Sequence, residues 1–288
     1  MIQLIVNPVA GNGTAKTIGA LAHEYLEQRG IEHEVRHTEY SGHATELAKD
    51  AADRGLQTVI AVGGDGTVSE TGAGLMYSTC ALGILAAGTG NDFLKALGLP
   101  SKWQPALELI LSTAPRPVDT GIINDRFFLN VCGMGFDVMA LDHTLSAKKY
   151  MKGMLPYLYG VIRAIKNFKP APMHIEIGDE VKLDGRYMVC SVANGRFIGG
   201  GIPIAPVADV ADGLFDIIVV DAVPRWKIPF YLPGLLTGKL INYKITHHYR
   251  SGGVLLNSHG MRLNLDGEIL PMEQCQFTCQ KDALQVHW

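Results

Sequence analysis

From Ile2 to about Ile123 the chain alternates between short apolar runs and longer stretches of helical period. The runs IQLIV, HEVRH, TVIAV and ALGILAA have strand length, whereas TAKTIGALAHEYLEQRG and GHATELAKDAADRG space their apolar residues three and four apart. Parallel strands need long crossovers and helices supply them, so this alternation predicts an α/β region built on a parallel sheet. After Arg126 the pattern changes. RFFLNVCGMGFD, MHIEIG, RYMVCSVANG, GLFDIIVVDAV, VLLNSHGMRLNLDGE and CQFTCQ read as strands, with only two helical candidates among them. This half is predicted to be mainly antiparallel β. Residues 1–123 and 124–279 are therefore expected to form two domains, with no fixed-period repeat or low-complexity linker between them.

Three glycine-rich segments fall at predicted strand ends: NPVAGNGT after the first, GGDGT after the third and AAGTGNDF after the fourth. In open parallel sheets ligands bind beyond the carboxyl ends of the strands. Glycine lets a backbone N–H approach a phosphate closely, and a following helix adds its free N–H groups and its dipole. Thr67 and Glu70 have the T-x-x-E spacing of a capping box, which predicts a helix starting immediately after GGDG. Turn chemistry explains any one of these loops; three on one sheet edge point to a phosphate site. Asp65 and Asp92 sharpen the reading, because a carboxylate beside phosphate is unfavourable unless a divalent cation lies between them. A nucleotide with Mg²⁺ is the expected ligand. The loops are not a P-loop, since G-x-x-x-x-G-K-[ST] is absent, and GNGTAK lacks the third glycine of a dinucleotide fingerprint. Protein-kinase signatures are absent too.

Composition narrows the classes further. With 288 residues and 47% hydrophobic content the chain can build a substantial core, and a net charge of −3 gives no broad footprint for nucleic acid. The five cysteines are odd in number and scattered through apolar runs, as core thiols in a reducing compartment would be. No apolar stretch reaches bilayer-spanning length and the N-terminus lacks a basic leader, so a cytoplasmic protein without a transmembrane segment is expected. HEVRH, His33 to His37, satisfies the H-E-x-x-H expression of zinc proteases. Gly30 ends the preceding helix, however, and the short run reads as a strand. Residues four apart on a strand are separated by about 13 Å, whereas two nitrogens on one Zn²⁺ lie roughly 3 to 4 Å apart. The protease reading fails on that geometry. The segment from Lys148 to Lys169 mixes six basic residues with Met, Leu, Tyr and Phe, and PRWKIPFYLPGLLTGKL repeats the mixture. Such surfaces suit the edge of an anionic bilayer, although core helices with a solvated face have the same composition. NGRFIGGGIPIAP reads either as a mobile wall of a lipid pocket or as an ordinary β-domain loop.

NPVAGNG, GGDGT, GTGNDF, ADGLFD and LDGE, in this order along the whole chain, resemble the lipid kinases with a diacylglycerol-kinase catalytic domain, a group similar also to sphingosine and ceramide kinases. The resemblance implies an N-terminal α/β domain like those of NAD kinase and phosphofructokinase and a C-terminal antiparallel β-sandwich. It also implies that the last strand, about 280–288, returns to the first domain. It implies nucleotide contacts from Asn7, Pro8 and Gly11, from Thr38, from Gly64, Asp65, Gly66, Thr67 and Glu70, and from Thr89, with Asp65 and Asp92 organising Mg²⁺ and its waters. Glu268 matches the family's proton acceptor, with Asp266 beside it. Asp209, Asp212 and the carbonyl of Leu214 match a second, structural Mg²⁺ site. Family members often carry a lysine shortly before DGLFD; IPIAPVADVADGLFD has none, which leaves the charge balance of that site open.

A carboxylate on a turn such as LDGE can take the proton of an attacking hydroxyl, although Asp-Gly is also the strongest short hairpin signal. The sequence thus predicts an ATP- and Mg²⁺-dependent lipid kinase, acting peripherally at the inner membrane surface on a lipid hydroxyl such as that of diacylglycerol. Sphingoid bases, phosphatidylglycerol, isoprenoid alcohols, GTP as donor and a homodimer all remain compatible with it. Two other readings stand beside it: an NAD kinase-like phosphotransferase with a soluble acceptor, and a noncatalytic nucleotide-binding regulatory module.

Overall fold

The computed structural model describes residues 1–147, 150–151, 155–260 and 262–288, the side chains of Tyr157 and Leu158 excepted. The chain forms two compact units: Met1–Thr120, Val210–Gly213 and Gln280–Trp288 make the first, Gly121–Asp209 and Leu214–Cys279 the second.

The first unit runs β1 (Ile2–Val6), α1 (Thr14–Gln28), β2 (His33–His37), α2 (His43–Asp53), β3 (Thr58–Gly63), α3 (Asp65–Leu75), β4 (Ala81–Ala86), α4 (Asp92–Ala96) and α5 (Trp103–Ser112). Its strands lie in the order β4-β3-β1-β2, all parallel. Strand periodicity explains which residues are apolar. Leu4 and Val6 point from β1 into a cluster with Ala15, Ile18, Ala22 and Leu26 of α1 and Leu107 and Ile110 of α5. Gln3 points to the opposite face, where its side-chain amide donates to the Leu47 carbonyl of α2 at 3.1 Å. β3 and β4 are covered on both faces and every residue in them is buried, as in parallel sheets generally. β2 is the edge strand, which is why HEVRH is polar; its residues are half-buried or exposed. His33 and His37 therefore lie along a strand, and the H-E-x-x-H match carries no metal chemistry.

β5 (Arg116–Ile123) leads into the second unit, which comprises β6 (Arg126–Phe128), β7 (Val131–Gly135), α6 (Phe136–Ala147), α7 (Leu155–Asn167), β8 (Ala171–Ile177), β9 (Val181–Ala193), β10 (Phe215–Asp221), α8 (Ile228–Leu236), β11 (Thr246–Ser251), β12 (Gly253–Asn257), β13 (Arg262–Leu265), β14 (Glu268–Pro271) and the start of β15 (Gln274–Val286). The pairings are antiparallel: β14-β13-β7-β9-β8-β12-β15, with β10 between β9 and β11. Phe128, Phe215 and Phe277 sit at the centre of the sandwich, their rings 5.4 and 6.1 Å apart. Along β9, Cys190 and Val192 face this core while Val189 and Ala193 face a second cluster beneath α6, α7 and α8.

One expectation needs correction here. RFFLNVCGMGFD is not a continuous strand: it breaks between β6 and β7, and the chain turns at Gly135 (φ +111) into α6, giving this half three described helices rather than two. The apolar residues of FDVMALDHTLSA are not gathered on one stripe, so the helical period was not visible.

β15 continues from the second unit into the first, where Val286 pairs with Leu82 of β4 in parallel. Its end is pinned by His287 N–H donating to the Leu82 carbonyl at 3.0 Å and by the Arg116 guanidinium 4.0 Å above the Trp288 ring. All five cysteines are free thiols; burial pushes Cys80 up to about 11 and Cys275 to about 12. Among the described residues no helix is long and apolar enough to cross a membrane.

Candidate active site

The three glycine loops sit at the carboxyl ends of β1, β3 and β4 and touch one another inside the first unit. Gly11, Asn12 and Gly13 all have positive φ, and a Cβ on Gly11 would lie 1.9 Å from the Ala87 carbonyl oxygen, so only glycine fits there. Gly64 and Gly88 also approach closely: a Cβ on Gly88 would meet the Gly64 Cα at 2.6 Å. Asn7 spans the loops after β1 and β3, its side-chain amide donating to Thr67 Oγ1 at 3.1 Å while its Oδ1 accepts from the Val9 N–H at 3.3 Å. Pro8 follows it, half-buried, and Thr38 continues the β1–β2 ladder by donating its N–H to the Val6 carbonyl at 3.0 Å.

Asp65 ties the loop after β3 to the loop after β4. Its carboxylate accepts the N–H of Asn91 at 2.7 Å and that of Asp92 at 2.6 Å, so one oxygen each caps the start of α4. A carboxylate has about four acceptor positions, and two of Asp65's are thus committed to positioning. Asp92 is buried beside it. Thr89 is exposed at the tip of the loop after β4, and Gly66 is exposed at the start of α3 with nothing within 4 Å of where its Cβ would be.

The capping box is a second correction. α3 begins at Asp65 with Gly64 as its N-cap and no side-chain cap, two residues earlier than expected. Thr67 is buried in the first turn. Glu70 reaches across to α2, where Oε2 accepts the Ala44 N–H at 3.3 Å and Oε1 the Ser41 hydroxyl at 3.4 Å. Glu70 thus joins two helix starts, and its side chain is engaged on the α2 side.

In the second unit, Asp266 and Gly267 form the two-residue loop between β13 and β14, both with positive φ (46° and 100°) as a type I′ turn requires. The Asp266 carboxylate turns back onto the chain before β7. Oδ2 accepts the Leu129 N–H at 2.7 Å and Oδ1 accepts those of Asn130 and Val131 at 3.0 and 3.1 Å. Asp266 is a positioning residue that fixes the turn. Glu268 opens β14 with its side chain exposed, free of the backbone role that Asp266 fills. The Asp-Gly hairpin and the presentation of a carboxylate are one device.

Asp209 is exposed and Asp212 half-buried in the loop before β10. Asp119 organises this loop within the first unit: one oxygen accepts the Gly213 N–H at 2.5 Å, the other the Asp282 N–H at 2.8 Å. Burial raises the Asp119 carboxyl above the ordinary aspartate value, against the pull of those two amides. Lys281 of β15 runs its stem over Gly213, 3.2 Å from where a Cβ would be. A lysine therefore reaches this loop from a distant part of the sequence, although none precedes it locally. Among the described residues no group of three or more His, Cys, Asp or Glu side chains is placed to hold a metal.

Four residues here escaped the sequence reading. Asn91 adopts φ +52 and donates its side-chain amide to the Gly88 carbonyl at 2.9 Å, a left-handed role for which Asn after Gly was a usable signal. Asp119 and Lys281 had no local signal, because their partners are remote. Asp137, at the start of α6 with both carboxylate oxygens buried, lies where a side chain on Gly133 would be; a Cβ there would come 2.0 Å from Oδ2. Gly133 pairs with Asn264, whose Oδ1 accepts the Gly267 N–H at 2.9 Å, so Asp137 lies behind the hairpin. Burial pushes its pKa up to about 6, against backbone amides and the Asn264 side chain, which pull it down. The native state therefore holds this proton more tightly than the unfolded chain, whose aspartates titrate near ~3.9. Stability from this group is complete below that value and is lost as pH rises through about 6. A difference of roughly two units corresponds to about 3 kcal/mol. Asp137→Asn is expected to raise the thermal midpoint at pH 8 by several degrees and to leave it unchanged at pH 4, as scanning calorimetry at both values would show.

Comparison with known proteins agrees with this architecture. Residues 1–123 match the model of the diacylglycerol kinase catalytic domain, and residues 130–288 match that of the YegS C-terminal NAD kinase beta sandwich-like domain. A diacylglycerol kinase of Bacillus subtilis (strain 168) is 31% identical over 271 residues, covering 92% of this chain and 89% of that protein. A protein of Pseudomonas syringae pv. tomato named "Probable lipid kinase YegS-like" is 34% identical over 264 residues, 90% of this chain and 85% of its own. A solved diacylglycerol-kinase-type structure from Bacillus anthracis str. Sterne superposes with a TM-score of 0.81 at 26% identity, covering 100% of this chain and 96% of that one. Matched along both units in motif order and in fold, the chain belongs to the diacylglycerol kinase and YegS-like family of lipid kinases and is a kinase.

Proposed function

We propose that this protein transfers the γ-phosphate of ATP to a hydroxyl of a membrane lipid such as diacylglycerol, with Mg²⁺ at the phosphates, at the inner surface of the membrane. The observation that carries the nucleotide half is the contact of three glycine loops at one carboxyl sheet edge, clamped by Asp65 on the amides of Asn91 and Asp92. Backbone N–H groups of the Asn7–Gly11 and Gly64–Thr67 loops and of Thr89 bind phosphate oxygens, helped by the N-termini of α1 and α3. Asp65 and Asp92 supply hard oxygen donors suited to Mg²⁺ and its bound waters, Asp65 with acceptor positions left beyond its two amides. Bound there, Mg²⁺ would neutralise charge developing on the transferred phosphoryl group. Asp209, Asp212 and the Leu214 carbonyl are the same kind of donors and would hold a structural Mg²⁺, with Asp119 and Lys281 shaping their loop. Glu268 takes the proton of the attacking hydroxyl as the new O–P bond forms and ADP leaves, and Asp266 keeps its hairpin in place. Relatives named as lipid kinases over nine-tenths of the chain favour a lipid acceptor over a soluble one.

Gly66 offers a clean test of the nucleotide assignment. Its Cβ direction is open, so Gly66→Ala meets no protein atom and gains helix propensity of up to about 1 kcal/mol. Only a ligand lying against the loop would object. The expected result is an unchanged or higher thermal midpoint with Mg²⁺-ATP affinity at least about tenfold weaker by calorimetry, a loss of some 1.4 kcal/mol. Unchanged affinity would place the phosphates elsewhere.

A further inference from the structure

α8 is unusual for a helix at the surface. IPFYLPGLL contains no charged residue and no strongly polar one. Its inner face is accounted for: Ile228 is buried, Tyr231, Leu232 and Leu235 pack on the cluster beneath β9 and β10, and Gly234 lies against the Tyr243 ring. The outer face is apolar as well. Phe230 is 71% exposed and Leu236 55%, Pro229 and Pro233 are exposed beside them, and Trp226, 68% exposed, stands one turn before Phe230 in the lead-in to the helix. Spacings of three and four place these residues on one stripe. A helix apolar on every side is ordinarily covered on every side.

The charges around the stripe select what covers it. Between Ala222 and Ile245 the chain has four cations, Arg225, Lys227, Lys239 and Lys244, and no aspartate or glutamate, in a protein whose net charge is −3. Lys227 lies 5.2 Å from the centre of the Trp226 ring, and the Arg225 side chain donates to the Phe168 carbonyl at 2.9 Å, which fixes the start of the stripe to the end of α7. Two copies meeting through this face in a symmetric dimer would bring cations against cations. An anionic bilayer instead receives tryptophan and phenylalanine at its headgroup boundary and pairs the flanking cations with lipid phosphates.

We infer that the Trp226–Leu236 stripe with its flanking lysines is the surface by which this kinase docks on an anionic lipid bilayer. The inference rests on the lipid-kinase reading for its biological sense but not for its test, because docking requires neither ATP nor acceptor. The sequence reading offered this segment beside Lys148–Lys169, of which Lys148, Lys149 and Lys152 lie outside the described residues.

The test uses the full chain and vesicles of phosphatidylcholine alone or mixed with phosphatidylglycerol. Wild type should sediment with the mixed vesicles at low salt, much less with phosphatidylcholine, and should release as salt rises. Its tryptophan emission should shift to the blue on binding. Trp226→Ser with Phe230→Ser should lower partitioning about tenfold or more, and Lys227→Glu with Lys239→Glu should remove the preference for anionic lipid. Trp226→Phe should keep most of the binding and lose the emission shift. Turnover on a short-chain acceptor dispersed in water should stay within about twofold of wild type in all three variants. Undiminished sedimentation of the Trp226/Phe230 variant would overturn the inference, as would a loss of self-association in place of vesicle binding, or an equal loss of activity on dispersed and vesicle-borne acceptor. Vesicle binding that behaves as described in a protein that phosphorylates no lipid would refute the function and leave the docking surface standing.

Discussion

Glu268→Gln should lower kcat by about 10²- to 10⁴-fold, the range expected when a general base is neutralised in place. ATP affinity should move only a few-fold, because the glycine loops belong to the first unit and Glu268 to the second. Asp266→Asn should behave differently from its neighbour. Asp266 accepts three backbone N–H groups, and an amide nitrogen in place of one oxygen would face a donor with a donor. Leaving such a pair unmade costs roughly 1 to 3 kcal/mol, so this variant should lose thermal stability together with activity, whereas Glu268→Gln should lose activity alone. The double variant should turn over little more slowly than the worse single one, since a displaced hairpin no longer presents residue 268. Steady-state kinetics, calorimetric ATP affinity and melting curves on the three proteins separate these roles. Full activity in Glu268→Gln would reduce LDGE to a turn.

Asp65→Asn is expected to bring turnover to the limit of detection and to weaken Mg²⁺-dependent ATP binding. The structure changes the reason. From the sequence, a carboxylate in a glycine loop supports no core residue and should be removable without structural cost. In the structure it caps α4 through two N–H groups at 2.6 and 2.7 Å. The asparagine keeps one acceptor and sets its amide against the other N–H, so a modest loss of stability, about 1 to 3 kcal/mol, should accompany the loss of activity. Asp65→Glu retains the charge and both carboxylate oxygens but lengthens the arm. It should bind ATP better than Asp65→Asn if charge dominates and no better if the clamp on the loop after β4 does.

The parallel sheet was legible because its strands follow local rules. β1, β3 and β4 are apolar runs that lead into glycine-rich loops, and β2 is polar because it is an edge. The antiparallel character of the second half was legible for the same reason, through alternation. What sequence could not show depends on partners far along the chain. Asp119 is unremarked in RPVDTG until Gly213 and Asp282 are found on its two oxygens, and Lys281 supplies near Gly213 a cation that the local stretch lacks. Asp137 looked like the end of a strand, and its burial follows from the missing side chain at Gly133. Glu70 matched a capping box by spacing, but the helix already begins at Asp65, two residues before that box would start it, which leaves Glu70 to reach Ala44.

The most direct measurement follows the label of γ-³²P-ATP with purified wild-type protein, Mg²⁺ and long-chain diacylglycerol in mixed micelles, beside a sphingoid base, phosphatidylglycerol, an isoprenoid alcohol and soluble NAD. The account predicts transfer to a lipid hydroxyl, with diacylglycerol giving phosphatidic acid, no transfer without Mg²⁺, and none to NAD. Label passing to NAD, or remaining in ATP whatever lipid is offered, would contradict it.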